Sequence, residues 1–339
     1  MQKYRLLDPA RGLAALAVVF FHRGVIPLYI HPVDWIVHYG EVGANIFFVI
    51  SGYVIYQSME RRSSEGARGC WLFIKKRFRR IYPPFWASLI ISFLVAILIL
   101  GQWFSLRDYV STFTLTFIIV AAQAPQGVYW TLAYEEQFYA VMMLLILPVF
   151  NRIRVPLILL STPLAVGHNL GRPSNWFFNT TLPAHWFEFE LGIIVYFILH
   201  RKISRIISVP VFVALIISGF LGNYRTIAPS IFAVIILACY QLDATLAGIE
   251  VLVPVRWLGL VSYSLYLIHL PVFTMHDAVF ARLHIDHEYL KYFSGITAAL
   301  VATVAFFWLF EKPFLSSNQK QEASAAPHSS ARLVVGAHV

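Results

Sequence analysis

Charge is what this chain has least of. Asp, Glu, Lys and Arg make up only 13% of its 339 residues, and hydrophobic residues make up 59%. A soluble domain of this length carries about twice that charge, so the balance argues against one or two water-soluble domains and for a polytopic membrane domain. Acidic residues are the scarcer sign: 17 against 26 Lys and Arg, for a net charge of +9. Membrane proteins concentrate Lys and Arg in cytoplasmic loops, so the excess does not call for a nucleic-acid partner. Cysteine is nearly missing. Cys70 and Cys239 are too few for a disulfide framework, and they fall on an expected loop and inside an expected span. No Walker loop, HExxH pair or dinucleotide fingerprint is present, and no Gly-x-Ser-x-Gly or catalytic-cysteine context. No internal repeat is visible. The first apolar stretch is interrupted by Arg11 and lacks a small-residue cleavage site, so it is not expected to be a cleaved signal peptide.

What is present is a series of apolar runs of about 15–20 residues. They lie near 7–28, 40–57, 84–101, 132–150, 154–168, 184–199, 206–222, 227–242, 257–275 and 291–311. The expected fold is therefore all-α: a polytopic membrane helix bundle of about ten transmembrane helices. Between the second and third runs lies a segment, 60–80, with eight Arg or Lys and two Glu. Placing it in the cytoplasm puts the N-terminus, the basic stretches at 151–154 and 200–205, and the C-terminus on the same side. Residues 109–122 would invert every later loop if they spanned, so they read as interfacial or re-entrant. The expected domain is 1–314, followed by a Ser-, Ala- and Gln-rich tail, 315–339, with the composition of a disordered cytoplasmic segment.

Ionisable residues inside apolar runs are costly and usually face a protein interior or a wet cavity. Arg11 and His22 are eleven residues apart, close to three helical turns, so they leave the same face of the first helix roughly 16 Å apart along its axis. A neutral imidazole at His22 suits a general base. Arg77 and Arg80 suit bidentate phosphate binding. Glu135 and Glu136 are adjacent, so on a helix only one can face a given cavity. Trp130 is open to an interfacial or a sugar-stacking role. His269, well along the ninth run, is open to a hydrogen-bonded core role or to lining an acceptor cavity. The cluster of His276, Asp277, His284, Asp286, His287 and Glu288 has no closed zinc spacing, so no metal is expected there.

"LDPARGLAALAVVFFH" resembles the first span of the acyltransferase 3 family, membrane enzymes that O-acylate surface polysaccharides and other acceptors. "RFRRIYPPFW", "GANIFFVISGYVI", "YWTLAYEEQFY", "FEFELG", "LGLVSYSLYLIHLP" and "FEKPF" resemble further family segments, together covering residues 7 to 314. Asn45 stands where the family often has Asp, and the extracytoplasmic esterase-like domain of some members is not seen. The resemblance implies acyl-CoA, in the first place acetyl-CoA, as a co-substrate with no permanently bound cofactor. It places Arg11, Arg77 and Arg80 at the donor and favours Glu136 as the inward carboxylate, with Glu135 nearer solvent. His22 and Glu136 are then the expected catalytic residues. Trp130, Glu188 and His269 are the expected contacts to an acceptor hydroxyl on a glycan or lipid-linked sugar. The competing class is a polytopic transporter or flippase for a polysaccharide precursor, disfavoured by the missing repeated half and paired broken helices.

Overall fold

In the computed structural model, residues 4–24, 37–171, 179–247, 249 and 253–315 are described. The expected tail from 316 onward lies outside them. The described residues form helices and turns, with no strand among them. Eleven helices of eight residues or more follow in order: α1 (Leu7–Arg23), α2 (Val42–Glu60), α3 (Gly66–Leu98), α4 (Leu106–Phe113), α5 (Trp130–Ile146), α6 (Arg154–Gly171), α7 (Trp186–Leu199), α8 (Arg205–Leu221), α9 (Tyr224–Cys239), α10 (Val253–Arg282) and α11 (Glu288–Phe306). All but α4 overlap one of the ten apolar runs. Among the described residues, five helical stretches are long and apolar enough to cross a membrane: Val42–Leu98, Leu182–Leu199, Tyr224–Leu246, Val253–Arg282 and Glu288–Phe314.

One expectation changes in detail. The basic segment 60–80 is not a loop through its length, because α3 begins at Gly66. Arg77 and Arg80 thus sit three turns into a 33-residue helix rather than at its start. Arg and Lys are good helix formers, so the helix continues through the charged stretch without a break. Residues 109–122 form no spanning helix. The eight-residue α4 is opened by a capping box between Ser105 and Asp108, and turns follow it with positive φ at Leu115 and Ala121. Crossing a bilayer takes about 20 helical residues.

The chain forms two compact units. Unit 1 comprises residues 1–40, 78–102 and 243–339; unit 2 comprises residues 41–77 and 103–242. In unit 1, α1 packs along α10, with α11 against α10. The α1–α10 contact is a backbone contact. A Cβ on Gly12 would lie 2.6 Å from the Gly259 nitrogen, and one on Gly259 would lie 1.9 Å from the Asp8 oxygen. Small residues let membrane helices approach this closely. The start of α1 is anchored too: the Asp243 carboxylate accepts hydrogen bonds from the Leu6 nitrogen at 2.8 Å and the Arg5 nitrogen at 3.1 Å, satisfying N–H groups that a helix start leaves open.

Unit 2 uses the same device in antiparallel form. Gly52 of α2 meets the Phe189 oxygen of α7, and Gly192 meets the Val49 oxygen; a Cβ at either would sit within about 2 Å of backbone oxygen. Around this crossing α7 is buried almost throughout, from Trp186 to Phe197.

Candidate functional site

The α1–α10 contact sets the first group of site residues. His22 lies ten residues beyond Gly12, and His269 lies ten residues beyond Gly259. Two helices that touch at the glycines and run the same way bring the imidazoles to one level about 15 Å further on. His269 Nε2 is 3.3 Å from His22 Nδ1, and the ring centroids are 5.2 Å apart. Each ring also reaches a carbonyl four residues back in its own helix: His22 Nδ1 is 2.9 Å from the Val18 oxygen, and His269 Nδ1 is 3.0 Å from the Leu265 oxygen. A carbonyl oxygen only accepts, so both Nδ1 atoms carry hydrogen. In neutral His269 the Nε2 lone pair then faces His22 Nδ1–H. In neutral His22 the proton-accepting atom is Nε2. His269 is fully buried, while His22 is exposed.

A second group in unit 1 centres on a residue that the sequence reading passed over within "FEKPF". Glu311 closes a π-helical turn, Phe307–Glu311, that follows α11. Such turns often mark functional positions because they redirect one side chain inward. Glu311 is buried, and its Oε2 accepts hydrogen bonds from the Ser264 nitrogen at 3.1 Å and the Ser264 hydroxyl at 2.5 Å. The guanidinium groups of Arg80 and Arg11 act on this carboxylate electrostatically. Tyr263, beside Ser264, donates to the Ile81 oxygen at 2.9 Å and ties α10 to the helix that carries Arg80.

Unit 2 holds the carboxylates and the aromatic surface. Glu188 is 3% exposed and accepts a hydrogen bond from Asn45 Nδ2 at 2.6 Å. The Asn at this position therefore performs a hydrogen-bond role that needs no charge. His185 Nδ1 stands 3.6 Å from Glu188. The His185 ring lies 5.1 Å from Trp130, 4.6 Å from Tyr134 and 4.9 Å from Phe48, centroid to centroid. The sequence reading missed His185; its only signal was the position three residues before Glu188 at a helix start.

Glu135 accepts a hydrogen bond from Ser51 of α2 at 3.0 Å and another from Tyr139 one turn along α5. Glu135 and Glu136 are both half-buried. Both act electrostatically on Tyr139. Arg77 lies over the Tyr139 ring at 5.5 Å and the Phe73 ring at 5.7 Å. Among the described residues its buried Nε has no hydrogen-bond partner. Glu190, two residues past Glu188, is fully buried in another direction and accepts from the Thr162 hydroxyl at 2.5 Å. No group of three or more His, Cys, Asp or Glu suited to a metal exists among the described residues.

The structure thus brings His22 together with His269, Arg11 and Arg80 with Glu311, and Trp130 with Glu188 through His185. Its helices and buried ionisable groups define a multi-pass integral membrane protein with polar chemistry inside its helical segments. Residues 5–312 match the model of the acyltransferase domain, and the chain belongs to the acyltransferase 3 family. It is similar to the peptidoglycan O-acetyltransferase OatA of Listeria monocytogenes, at 24% identity over 80% of this chain and 50% of that protein. It is 24% identical to the O-acetyltransferase OatA of Staphylococcus aureus over 88% of this chain and 55% of that protein. It is also 26% identical to the "Putative membrane-bound transacylase BcsY" of Komagataeibacter xylinus, over 97% of this chain and 88% of that protein. The chain spans about half the length of the OatA proteins it matches. No solved structure matches it.

Proposed function

We propose that this chain is an integral-membrane O-acyltransferase that moves an acyl group, acetyl by analogy with the OatA relatives, from cytoplasmic acyl-CoA to a hydroxyl of a glycan or lipid-linked sugar. Both chain ends are assigned to the cytoplasm, in a bacterial inner membrane. The observation that carries the reading is the His22–His269 pair, with His22 Nδ1 bonded to the Val18 oxygen and Nε2 left as the basic atom. Family membership favours the enzyme over a transporter.

In this scheme the acceptor O–H gives its proton to His22 Nε2 as its oxygen bonds to the thioester carbonyl carbon. The tetrahedral intermediate collapses, the C–S bond breaks, and the CoA sulfur takes the proton back from the imidazolium. The products are an ester and free CoA. His22 Nδ1–H is shared between the Val18 oxygen at 2.9 Å and the His269 Nε2 lone pair at 3.3 Å, so the positive charge that forms on His22 strengthens contacts already made. This gives His269 an orienting role in place of the acceptor contact expected from sequence, in keeping with its complete burial. Arg11 and Arg80, with Arg77 on the same helix, are assigned to the phosphates or pantetheine of the donor. Glu311 interacts with the first two electrostatically. Trp130 and Glu188 are assigned to the acceptor sugar, the indole stacking on the ring and the carboxylate accepting from a hydroxyl. Glu136 accepts from the acceptor as well.

The test is transfer of label from radioactive acetyl-CoA to glycan in membranes containing the chain. Base-labile label in the glycan is expected, with a loss of about 10²- to 10⁴-fold in His22→Ala, the range for removing a general base. Unchanged transfer in His22→Ala at matched protein levels would remove the base assignment.

A further inference from the structure

Arg23 follows His22 directly and is the last residue of α1. In a helix that ends in an apolar environment, an arginine commonly snorkels toward water. Arg23 does the opposite: its side chain is only 5% exposed. Four features of unit 1 hold it. Nη1 donates to Asp277 Oδ1 of α10 at 2.9 Å. Nη2 donates to the Lys291 backbone oxygen of α11. The guanidinium carbon lies 5.0 Å from the centre of the Phe273 ring. The group fills the space that Gly295 leaves on α11, where a Cβ would stand 2.6 Å from the guanidinium carbon and 2.7 Å from Nε and Nη2. Asp277 is braced in turn by His276, whose Nδ1 is 3.1 Å from the same oxygen and whose Nε2 is 2.9 Å from the Ser294 hydroxyl.

The arrangement joins the end of α1 to two helices at once. The next residue, Gly24, has φ +90° and so leaves the helix. The last turn of α1 would therefore be free to fray, and His22 lies in that turn. Its ring reaches His269 across 3.3 Å, a contact that a small rotation of the turn would break. We infer that Arg23 is a positioning residue for the acyl transfer: the Asp277–Arg23–Lys291 clamp, seated on Gly295, fixes the last turn of α1 and with it the His22 imidazole against His269. The inference rests on the assignment of His22 as the base.

Three single variants, one double variant and two measurements test it. Arg23→Ala removes the clamp. Arg23→Lys keeps the charge for Asp277 but cannot also reach the Lys291 oxygen in a planar fork. Gly295→Ala leaves Arg23 in place and is favourable for a helix interior, yet its Cβ occupies the guanidinium's seat. The first measurement is steady-state kinetics at matched protein levels. The expected result is a fall in kcat of about 10- to 100-fold in Arg23→Ala, less in Arg23→Lys and Gly295→Ala, with donor and acceptor KM within about twofold, as for a misplaced catalytic group. Arg23→Ala combined with Asp277→Asn should be no worse than Arg23→Ala alone, because both break one contact. The second measurement is the rate of modification of His22 by diethyl pyrocarbonate, read by peptide mass spectrometry. It should change about threefold or more in Arg23→Ala and Gly295→Ala, following the altered hydrogen bonding of the ring, while the rate at His200 in unit 2 stays constant. Unchanged modification of His22, or a rise in KM at constant kcat, overturns the clamp. Full activity in His22→Ala overturns the base assignment instead, and the modification rates still decide whether Arg23 holds the ring.

Discussion

Unit 1 and unit 2 are built from the same glycine-mediated helix contact, yet they present different chemistry. In unit 1 the contact is parallel, and it aligns one ionisable side chain on each helix: Gly12 with Gly259, then His22 with His269 ten residues on. In unit 2 the contact is antiparallel, through Gly52 and Gly192, and Glu188 lies beside it with Asn45, His185 and Trp130 around. Unit 1 has basic nitrogen atoms whose protons are assigned by neighbouring carbonyls. Unit 2 has a buried carboxylate edged by aromatic rings. Under the proposed assignment the first suits proton transfer, which needs fixed tautomers, and the second suits a sugar, which needs flat faces and acceptors. One packing device thus serves both units, and the direction of the helices decides which side chains meet.

Substitutions in either unit put that division to the test. The largest effect within it is expected for His269→Ala, which removes one of the two acceptors facing His22 Nδ1. It should lower kcat about 10- to 100-fold with little change in donor KM, measured as initial transfer rates at varied acetyl-CoA. A rise in KM without a fall in kcat would move His269 back to the substrate-binding role expected from sequence. The reverse split is expected in unit 2. Trp130→Ala should raise acceptor KM about two- to tenfold, the worth of one stacking contact, and leave kcat nearly unchanged. A kcat effect there as large as that of His269→Ala would erase the distinction between the units.

The smallest effect concerns His200, just past the end of α7. Burial first, and then the nearby Lys202, push its pKa below the ordinary value of about 6.5. The unfolded chain then binds a proton more readily than the folded one, so unit 2 should lose stability as pH falls below about 6.5. Thermal unfolding at stepped pH should show this slope, reduced in His200→Gln. The Nε2 of His200 is 3.0 Å from the Tyr53 hydroxyl, a contact the glutamine side chain can still make.

Much of the frame was legible in the sequence. Apolar runs mark helices because a bilayer demands satisfied backbone over about 20 residues, and all ten runs have a helix at their position. The Arg11–His22 spacing and the motifs around Glu188 and His269 led to the right family. What was not legible was contact between segments far apart in the chain. His22 and His269 are 247 residues apart, and nothing local to either says that Gly12 and Gly259 set them level. Glu311 was hidden because its inward direction comes from a π turn, which the hydrophobic pattern does not encode. The start of α3 was misplaced because hydropathy reports where lipid begins, not where a helix does. The Glu135–Glu136 pair shows the same limit. A 100° difference in direction separates them but does not say which side faces Ser51.

In the proposed mechanism His22 carries no proton on Nε2 and takes the acceptor's proton there. Single-turnover transfer of acetyl from acetyl-CoA by purified protein, compared between wild type and His22→Gln over pH 5 to 8, tests it most directly. The wild-type rate is expected to climb with pH as one imidazole loses its proton, and the variant to be slower by at least about 100-fold with that rise abolished. A His22→Gln protein that transfers at the wild-type rate with the same pH profile would contradict it.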